Sequence, residues 1–197
     1  MKWEILDDRL AYTGFFRIRS LRLSHSRFRG GAPLEISREL LERGHAAAVL
    51  PYDAVRDRVV LIEQFRVGAM EGESSPWLME VVAGMIEPGE LAEEVVRREA
   101  MEEAGCRLGE LEHLYEYHST PGGSSERISL FVGQTDSDGL GGVHGLEHEG
   151  EDIRVHVLDA EEAFARMDSG LMNNGMTLIA LLWLRLHRET LREKWGA

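Results

Sequence analysis

The order of hydrophobic and polar positions divides the chain into predicted strands and helices. Apolar and basic residues alternate over residues 16–23, which predicts a strand with one solvent-facing side. After a turn at residues 29–33, residues 34–41 are predicted to return as the second strand of a hairpin. Continuous apolar runs predict buried strands at residues 45–50, 59–65 and 77–83. Later strands are predicted at residues 111–118, 127–133 and 151–157, and helices at residues 91–104, 160–167 and 178–194.

Two organisational features follow from this pattern. Residues 1–44 are predicted to form an N-terminal layer that is separate from a domain over residues 45–197. Because a lone hairpin is only marginally stable in water, this layer must pack on the rest of the chain or on a second copy, and we favour an exchanged element in a homodimer. Residues 71–76 are predicted to be a loop, and residues 135–150 lack a hydrophobic period and predict a long loop that is either disordered or functional.

The composition limits the kinds of partner and the cellular location that are expected. A chain of 197 residues fits one domain with at most a small appendage. Its net charge of −13 argues against a nucleic-acid partner, because a phosphate backbone would be repelled. The single cysteine, Cys106, excludes an intramolecular disulfide framework. The N-terminus shows no signal-peptide pattern, and the most apolar segment, residues 176–186, is too short to span a membrane, so a cytoplasmic protein is expected.

An acidic motif is the strongest chemical signal. In the run GMIEPGELAEEVVRREAMEEAGC, Glu99 and Glu103 are four positions apart and share one face of the predicted helix, with Glu102 beside them. Like charges at this spacing weaken a helix, so the cluster suggests a hard cation with oxygen ligands, such as Mg²⁺ or alternatively Mn²⁺. An ordinary solvated acidic face is the alternative. A chance match to seven fixed residue types at these spacings is rare, about 10⁻⁵ over the chain.

The run from Gly84 to Cys106 fits the pattern GX5EX7REUXEEXGU, with Ala100 and Cys106 at the two apolar positions, and therefore resembles the signature of the Nudix family. Strands on both sides of a signature helix already favour an α/β or α+β sandwich. The resemblance implies an α/β/α sandwich around a mixed sheet. It also implies hydrolysis of a nucleoside diphosphate linked to a second group, assisted by a divalent metal.

Metal ligands and a general base follow in part from the residues and in part from the resemblance. On geometry Glu99 and Glu103 are the best ligands for two or three ions, and Arg98 is expected to pair with Glu90. The resemblance adds the carbonyl oxygen of Ala83. The residues leave the base open between Glu102 and the acidic loop at residues 144–152. Segments such as STPGGSSER and HGLEHEGEDIRVHV look like the bacterial ADP-ribose pyrophosphatase branch of the family, which implies Glu149 as base and Glu151 as a further metal ligand.

Substrate contacts come from the same resemblance. It matches Phe15 and Phe16 to an adenine platform supplied by a partner subunit, although a phenylalanine pair is more commonly part of a core. It matches Arg66 to a phosphate contact and Glu126 to a contact with the terminal ribose. A proline at the position of Pro121 looks like the mark of ADP-ribose preference in this family. The remaining matched positions are Arg38, Glu39, Arg43, Met85, Thr120, Gly122 and Gly123, with Thr120 in place of the more usual serine.

The resulting expectation is a metal-dependent hydrolase that cleaves ADP-ribose to AMP and ribose 5-phosphate. Hydrolysis of another nucleotide sugar, such as GDP-mannose, uses the same machinery and remains the alternative enzyme. A nucleotide-sensing module without catalysis belongs to a different class. The intact carboxylates at positions 99, 102 and 103 argue against it, because a sensor has no need of them.

Overall fold

Residues 1–72 and 75–196 are described by the computed structural model, and they form strands and helices in two units. The first unit consists of Met1–His45 with Tyr117–Arg127, and the second of Ala46–Glu116 with Ile128–Ala197. Over the described ranges the chain has two β-sheets, one of three strands and one of eight.

A three-stranded antiparallel sheet forms most of the first unit. Its strands are β1 (Trp3–Thr13), β2 (Arg17–His25) and β3 (Leu34–Glu42), paired in that order. The predicted hairpin of β2 and β3 is confirmed. Strand β1 was missed, because nearly all of its side chains are exposed and it therefore lacks the one-sided hydrophobic alternation that identifies a strand. Residues 117–127 join this unit through hydrogen bonds of Leu41 with Gly123 (2.8 Å) and Ser125 (3.2 Å).

An eight-stranded mixed sheet is the centre of the second unit. Strand β4 is buried along its whole length and pairs antiparallel with β5 and β7 and parallel with β9. The main order is β10-β11-β5-β4-β9-β8, and β6 pairs with β5. The strands are β4 (Ala46–Asp53), β5 (Arg58–Phe65), β6 (Trp77–Glu80), β7 (Val82–Met85), β8 (Leu111–His118), β9 (Arg127–Gln134), β10 (Gly142–His144) and β11 (Ile153–Asp159).

Helices cover both faces of this sheet. Helix α1 (Ala92–Ala104) packs its apolar side on Ala47 and Val49 of β4 and on neighbouring strands. Ala48 and Leu50 point to the opposite face and are equally buried, and helices α2 (Ala160–Asp168) and α3 (Gly175–Trp195) contact the sheet strands there. The expected α/β/α sandwich around a mixed sheet is thereby confirmed. In the described part of the chain, no helix has the length and apolar character needed to cross a membrane.

Two predicted segments differ from the structure. Residues 77–83 were expected to be one strand but form two, β6 and β7, which pair with different neighbours. The break falls at Val81, whose N–H donates to the side chain of Thr177 on α3 (3.0 Å) instead of to another strand. The loop at residues 135–150 contains strand β10 and a 3-10 turn at Glu147–Glu149. The predicted loop at residues 71–76 includes positions 73 and 74, which lie outside the described residues.

Candidate active site

Helix α1 carries the acidic motif and is fixed at both ends. At its start the Glu94 carboxylate accepts the N–H of Leu91 (3.2 Å). At its end Gly105 adopts the left-handed conformation (φ 58°), and the N–H of Cys106 returns to the carbonyl oxygen of Ala100 (2.8 Å). Ala100 and Cys106, the two apolar positions of the motif, are fully buried in the core beneath the helix. The motif thus anchors the helix while its acidic side faces strand β7.

Gly84 on β7 faces the carboxylate of Glu99. A Cβ atom built on Gly84 would overlap the carboxyl group of Glu99, so only glycine leaves room for that side chain. The first glycine of the motif is therefore required by close packing of strand against helix. The space it opens is filled by the carboxylate of Glu99.

Glu103 is the most buried carboxylate of the motif, with 3% of its surface exposed. Its Oε2 accepts the N–H of Ala83 on β7 (3.1 Å). Burial, together with the negative charges of Glu99 and Glu151, raises the pKa of Glu103 to about 8, although the Ala83 N–H and Arg66 oppose this rise. Burial is also the main cause of the raised pKa of Glu99. Carboxylates held together at this cost in free energy are suited to neutralisation by a cation.

Arg98 organises the outer carboxylates of the motif. Its guanidinium lies 2.8 Å from Glu99, 3.1 Å from Glu102 and 3.5 Å from Glu90. The expected pair of Glu90 with Arg98 is present. Burial lowers the pKa of Arg98, but Glu99, Glu102 and Glu90 together raise it above its ordinary value. Glu102 is held as an ion-pair partner of Arg98 in this structure, and its carbonyl oxygen accepts the N–H of Gly145 (3.3 Å).

The acidic loop after β10 is closed at its base next to helix α1. Gly145 has a φ of 101°, and a Cβ there would collide with Glu151. Glu151 in turn accepts the N–H of Leu146 through Oε2 (3.0 Å). Glu149 lies at the end of the 3-10 turn with its side chain 56% exposed and near His148 (3.6 Å). The loop therefore presents Glu149 to solvent and brings Glu151 close enough to act electrostatically on Glu99 and Glu103.

The donor set is suited to a hard divalent cation, because it consists of carboxylate oxygens and the backbone of Ala83. Among the residues that the structure describes, no three acidic, His or Cys side chains already converge as a closed metal site. Each of the carboxylates has a protein partner instead. Glu99 is bonded to Arg98, Glu103 to Ala83 and Glu151 to Leu146.

Arg66 has a partner that the sequence analysis missed. Glu80, which is 4% exposed, accepts the Nε–H of Arg66 (2.7 Å) and the side-chain amide of Asn174 (2.6 Å). The sequence did contain one sign of this role, because Glu80 is an acidic residue within the apolar run of residues 77–83. Its partners are 14 and 94 positions away, which sequence spacing does not reveal. Met85, the predicted lining residue, ends β7 and is 38% exposed.

The first unit brings together part of its predicted substrate residues. Arg43 lies over the ring of Phe16 (5.4 Å to the centroid) and pairs with the buried carboxylate of Glu126 (3.1 Å). Phe15 meets Phe16 edge to face but is itself 92% exposed, so the core alternative for Phe15 is wrong. The other matched residues are exposed: Arg38 and Glu39 lie on β3, and Thr120, Pro121, Gly122 and Gly123 form a turn closed by the Gly123 N–H and the Thr120 carbonyl (3.1 Å).

Comparison with known proteins places these features in a family. Residues 42–173 match the family model described as NUDIX domain. The chain is 47% identical over 193 residues to the ADP-ribose pyrophosphatase of Escherichia coli (strain K12), covering 98% of this chain and 92% of that protein. It is 32% identical over 188 residues to the GDP-mannose pyrophosphatase of Enterobacter sp. (strain 638), covering 94% and 96%.

A solved crystal structure of an ADP compounds hydrolase superposes with a TM-score of 0.74 at 24% identity, covering 100% of this chain and 98% of that one, which shows the shared fold. The family match and the relatives agree with the signature on α1 and with the sandwich that supports it. The chain therefore belongs to the Nudix family of hydrolases.

Proposed function

We propose that this protein hydrolyses the pyrophosphate bond of ADP-ribose, giving AMP and ribose 5-phosphate. The observation that carries the proposal is Glu103, a buried carboxylate whose pKa is raised by burial and by two further carboxylates, Glu99 and Glu151. Such a cluster beside Arg66 suits a cation and a pyrophosphate together. The name of the relative from Escherichia coli supports ADP-ribose as the substrate.

Glu99, Glu103, Glu151 and the carbonyl of Ala83 are the proposed ligands of two or three Mg²⁺ ions, with Mn²⁺ as the alternative. When bound there, the metal neutralises phosphate charge and acts as a Lewis acid. Arg66 contributes a guanidinium to a phosphate oxygen. The four proposed metal ligands, three carboxylates and one backbone carbonyl, all belong to the second unit, and each lies on α1, on β7 or in the loop after β10.

Glu149 is the proposed general base. It accepts a proton from the water that attacks one phosphorus atom, the bond from that phosphorus to the bridging oxygen breaks, and the oxygen leaves on the other phosphate. Its exposed position on a short turn suits a group that reaches the substrate only after binding. Glu102 is the alternative base, although its carboxylate is paired with Arg98 here.

Residues of the first unit are proposed to bind the remainder of the substrate. Phe15 and Phe16, supplied by a partner subunit, give flat apolar surface for adenine, and Arg38 and Glu39 supply polar contacts. Glu126 contacts the terminal ribose. Arg43 and the turn of Thr120, Pro121, Gly122 and Gly123 supply further contacts to the substrate, and Met85 is a substrate-lining residue. The Arg43–Glu126 pair supports this assignment, because it holds two of these groups in a fixed relation.

A homodimer in the cytoplasm is also proposed, with residues 1–44 as the docking element. Large apolar side chains are exposed on and beside the three-stranded sheet, including Trp3 (75%), Leu10 (58%), Phe15 (92%) and Phe28 (97%). Exposed apolar surface of this kind marks an association site. Light scattering during size-exclusion chromatography should give about twice the 22.2 kDa of one chain, and a mass of one chain would contradict the dimer.

A substrate panel tests the proposed reaction. Purified protein is incubated with Mg²⁺ and ADP-ribose, GDP-mannose, ADP-glucose or NADH, and products are identified by chromatography. We expect the highest kcat/KM for ADP-ribose, with AMP and ribose 5-phosphate formed in equal amounts. A preference for GDP-mannose would support the alternative enzyme, and no turnover of any compound would reject the hydrolase.

A further inference from the structure

We propose that Glu80 is a positioning residue that fixes the guanidinium of Arg66, and that Asn174 at the start of α3 fixes Glu80. This inference rests on the proposed function, in which Arg66 contacts a substrate phosphate. It adds two residues to the site, neither of which belongs to the signature motif or to the acidic loop.

Both oxygens of the Glu80 carboxylate are engaged. Oε2 accepts the Nε–H of Arg66 at 2.7 Å, and Oε1 accepts the Nδ2–H of Asn174 at 2.6 Å. Glu80 is only 4% exposed, so water cannot replace either partner. A buried carboxylate is stable only when it is paired and hydrogen-bonded, and therefore this side chain has one favourable position.

The pairing leaves the phosphate-binding end of Arg66 available. A guanidinium has five N–H donors, and Glu80 takes the one at Nε. Within residues 1–72 and 75–196, the terminal nitrogens of Arg66 make no hydrogen bond to the protein, and the side chain is 40% exposed. The positive charge of Arg66 also acts on Glu103. The fixed guanidinium thus lies near enough to Glu103, a proposed metal ligand, to lower its pKa.

Asn174 connects this pair to helix α3. Its Oδ1 accepts the N–H of Thr177 (3.0 Å) as the N-cap of the helix, while its Nδ2 donates to Glu80. Thr177 in turn accepts the N–H of Val81, next to Glu80 (3.0 Å). The end of β6 is therefore attached to the start of α3 at two adjacent points. A continuous series of hydrogen bonds runs from the helix through Asn174 and Glu80 to Arg66.

Variants of Glu80 separate positioning from a purely structural role. Glu80→Gln keeps the size of the side chain but replaces one acceptor oxygen by a donor, so it cannot accept from both partners. We expect kcat/KM for ADP-ribose to fall roughly 10- to 100-fold at saturating Mg²⁺, and the Kd for ADP-ribose in EDTA, measured by calorimetry, to rise. Glu63→Gln is the matched control, since Glu63 pairs with His156 (3.0 Å) and Arg154 (3.6 Å) on the same sheet but does not contact Arg66. This control should keep wild-type kinetics.

Asn174→Asp provides a second variant that does not depend on the folding of the first. Aspartate still caps the helix, but it presents a carboxylate oxygen to Glu80 in place of the N–H that the asparagine amide donates. We therefore expect this variant also to lower kcat/KM and to weaken ADP-ribose binding. Arg66→Ala and the double variant Glu80→Gln/Arg66→Ala complete a double-mutant cycle. If Glu80 acts through Arg66, the double variant should be no worse than Arg66→Ala.

The outcomes test the phosphate contact of Arg66 and the positioning role of Glu80 separately. Wild-type kcat/KM in Arg66→Ala would contradict the phosphate contact in the proposed function. A defective Arg66→Ala combined with wild-type kinetics and binding in both Glu80→Gln and Asn174→Asp would overturn the positioning role. Losses for Glu80 and Arg66 that multiply in the double variant would overturn it as well.

Discussion

The carboxylate of Glu99 occupies the space that a Cβ atom at Gly84 would fill. This relationship joins the first glycine of the motif to its first proposed metal ligand, across the contact between β7 and α1. A chain reversal is therefore not what requires glycine at this position. The glycine is needed because a strand and a carboxylate approach each other closely.

Gly84→Ala should therefore impair catalysis by displacing Glu99. We expect kcat for ADP-ribose to fall at least about 10²-fold, because a shift of about 1 Å in a positioned group is enough to cause such a loss. Gly68→Ala is the control, since a Cβ there meets no atom within 4 Å. Steady-state kinetics with thermal unfolding of both variants checks this prediction. Wild-type kcat in a folded Gly84→Ala protein would show that Glu99 is not held by this contact.

Glu149→Gln should lower kcat by roughly 10²-fold or more if Glu149 is the general base. Glu147→Gln changes an exposed carboxylate in the same 3-10 turn and should keep wild-type kcat. Mg²⁺ affinity, measured by calorimetry, should be unchanged in both variants, because neither residue is a proposed ligand. If Glu149→Gln retains turnover and Glu102→Gln loses it, the base is Glu102.

Glu103 should make the stability of the metal-free protein depend on pH. Its pKa in the folded protein is raised to about 8 from the ordinary 4.5, chiefly by burial. A raised carboxyl pKa contributes stability below about pH 4.5 that is lost as the pH rises toward 8. In EDTA, the free energy of unfolding of the wild type should therefore fall relative to Glu103→Gln between about pH 5 and pH 8.

Urea unfolding of the two proteins at several pH values measures this difference. Added Mg²⁺ should restore the stability of the wild type near pH 8, because a cation favours the ionised carboxylate. Glu103→Gln should respond less to Mg²⁺. Unfolding free energies that stay parallel from pH 5 to pH 8 would contradict the buried, charge-coupled position of Glu103.

Asp53, at the end of β4, should have the opposite pH dependence. Burial alone raises its pKa, but the N–H of Arg56 (2.9 Å), the hydroxyl (2.7 Å) and N–H (2.9 Å) of Ser137 and the Arg56 guanidinium lower it to about 2. The lowered pKa contributes about 2 kcal/mol above pH 4, which is lost as the pH falls toward 2.

Asp53→Asn should accordingly destabilise the protein by roughly 2–4 kcal/mol at pH 7, since an amide cannot accept all of these donors. The difference from wild type should shrink between about pH 4 and pH 2. Asp168→Asn, which removes an exposed pair with Arg185 (2.9 Å), should change stability by less than about 1 kcal/mol. A constant difference for Asp53→Asn down to pH 2 would reject the lowered pKa.

The sequence predicted those parts of the fold whose hydrophobic pattern directly reflects burial in the core. Strands β4 and β5 and helix α1 are of this kind, and their side chains are buried where the pattern required. Strand β1 was missed because it is held by backbone pairing with both faces exposed. The break between β6 and β7 was missed because it depends on Thr177, a residue 96 positions away.

The same distinction applies to the site. Local spacing was sufficient to place Glu99, Glu102, Glu103 and Arg98 on one helix. Local spacing could not show that Gly84 contacts Glu99, that Ala83 bonds to Glu103, or that Glu80 joins Arg66 to α3. Those relations exist only after strands and helices from distant parts of the chain pack together.

The carboxylates on α1 are proposed to hold the cation that drives hydrolysis of ADP-ribose. The most direct measurement is AMP formation from ADP-ribose as a function of Mg²⁺ concentration, for the wild type, Glu99→Gln and the exposed-helix control Glu93→Gln. We expect Glu93→Gln to match the wild type, and Glu99→Gln to need a higher Mg²⁺ concentration and to lose roughly 10²-fold or more in kcat. AMP formation that does not depend on Mg²⁺ or Mn²⁺, or an unchanged Mg²⁺ dependence in Glu99→Gln, would contradict the claim.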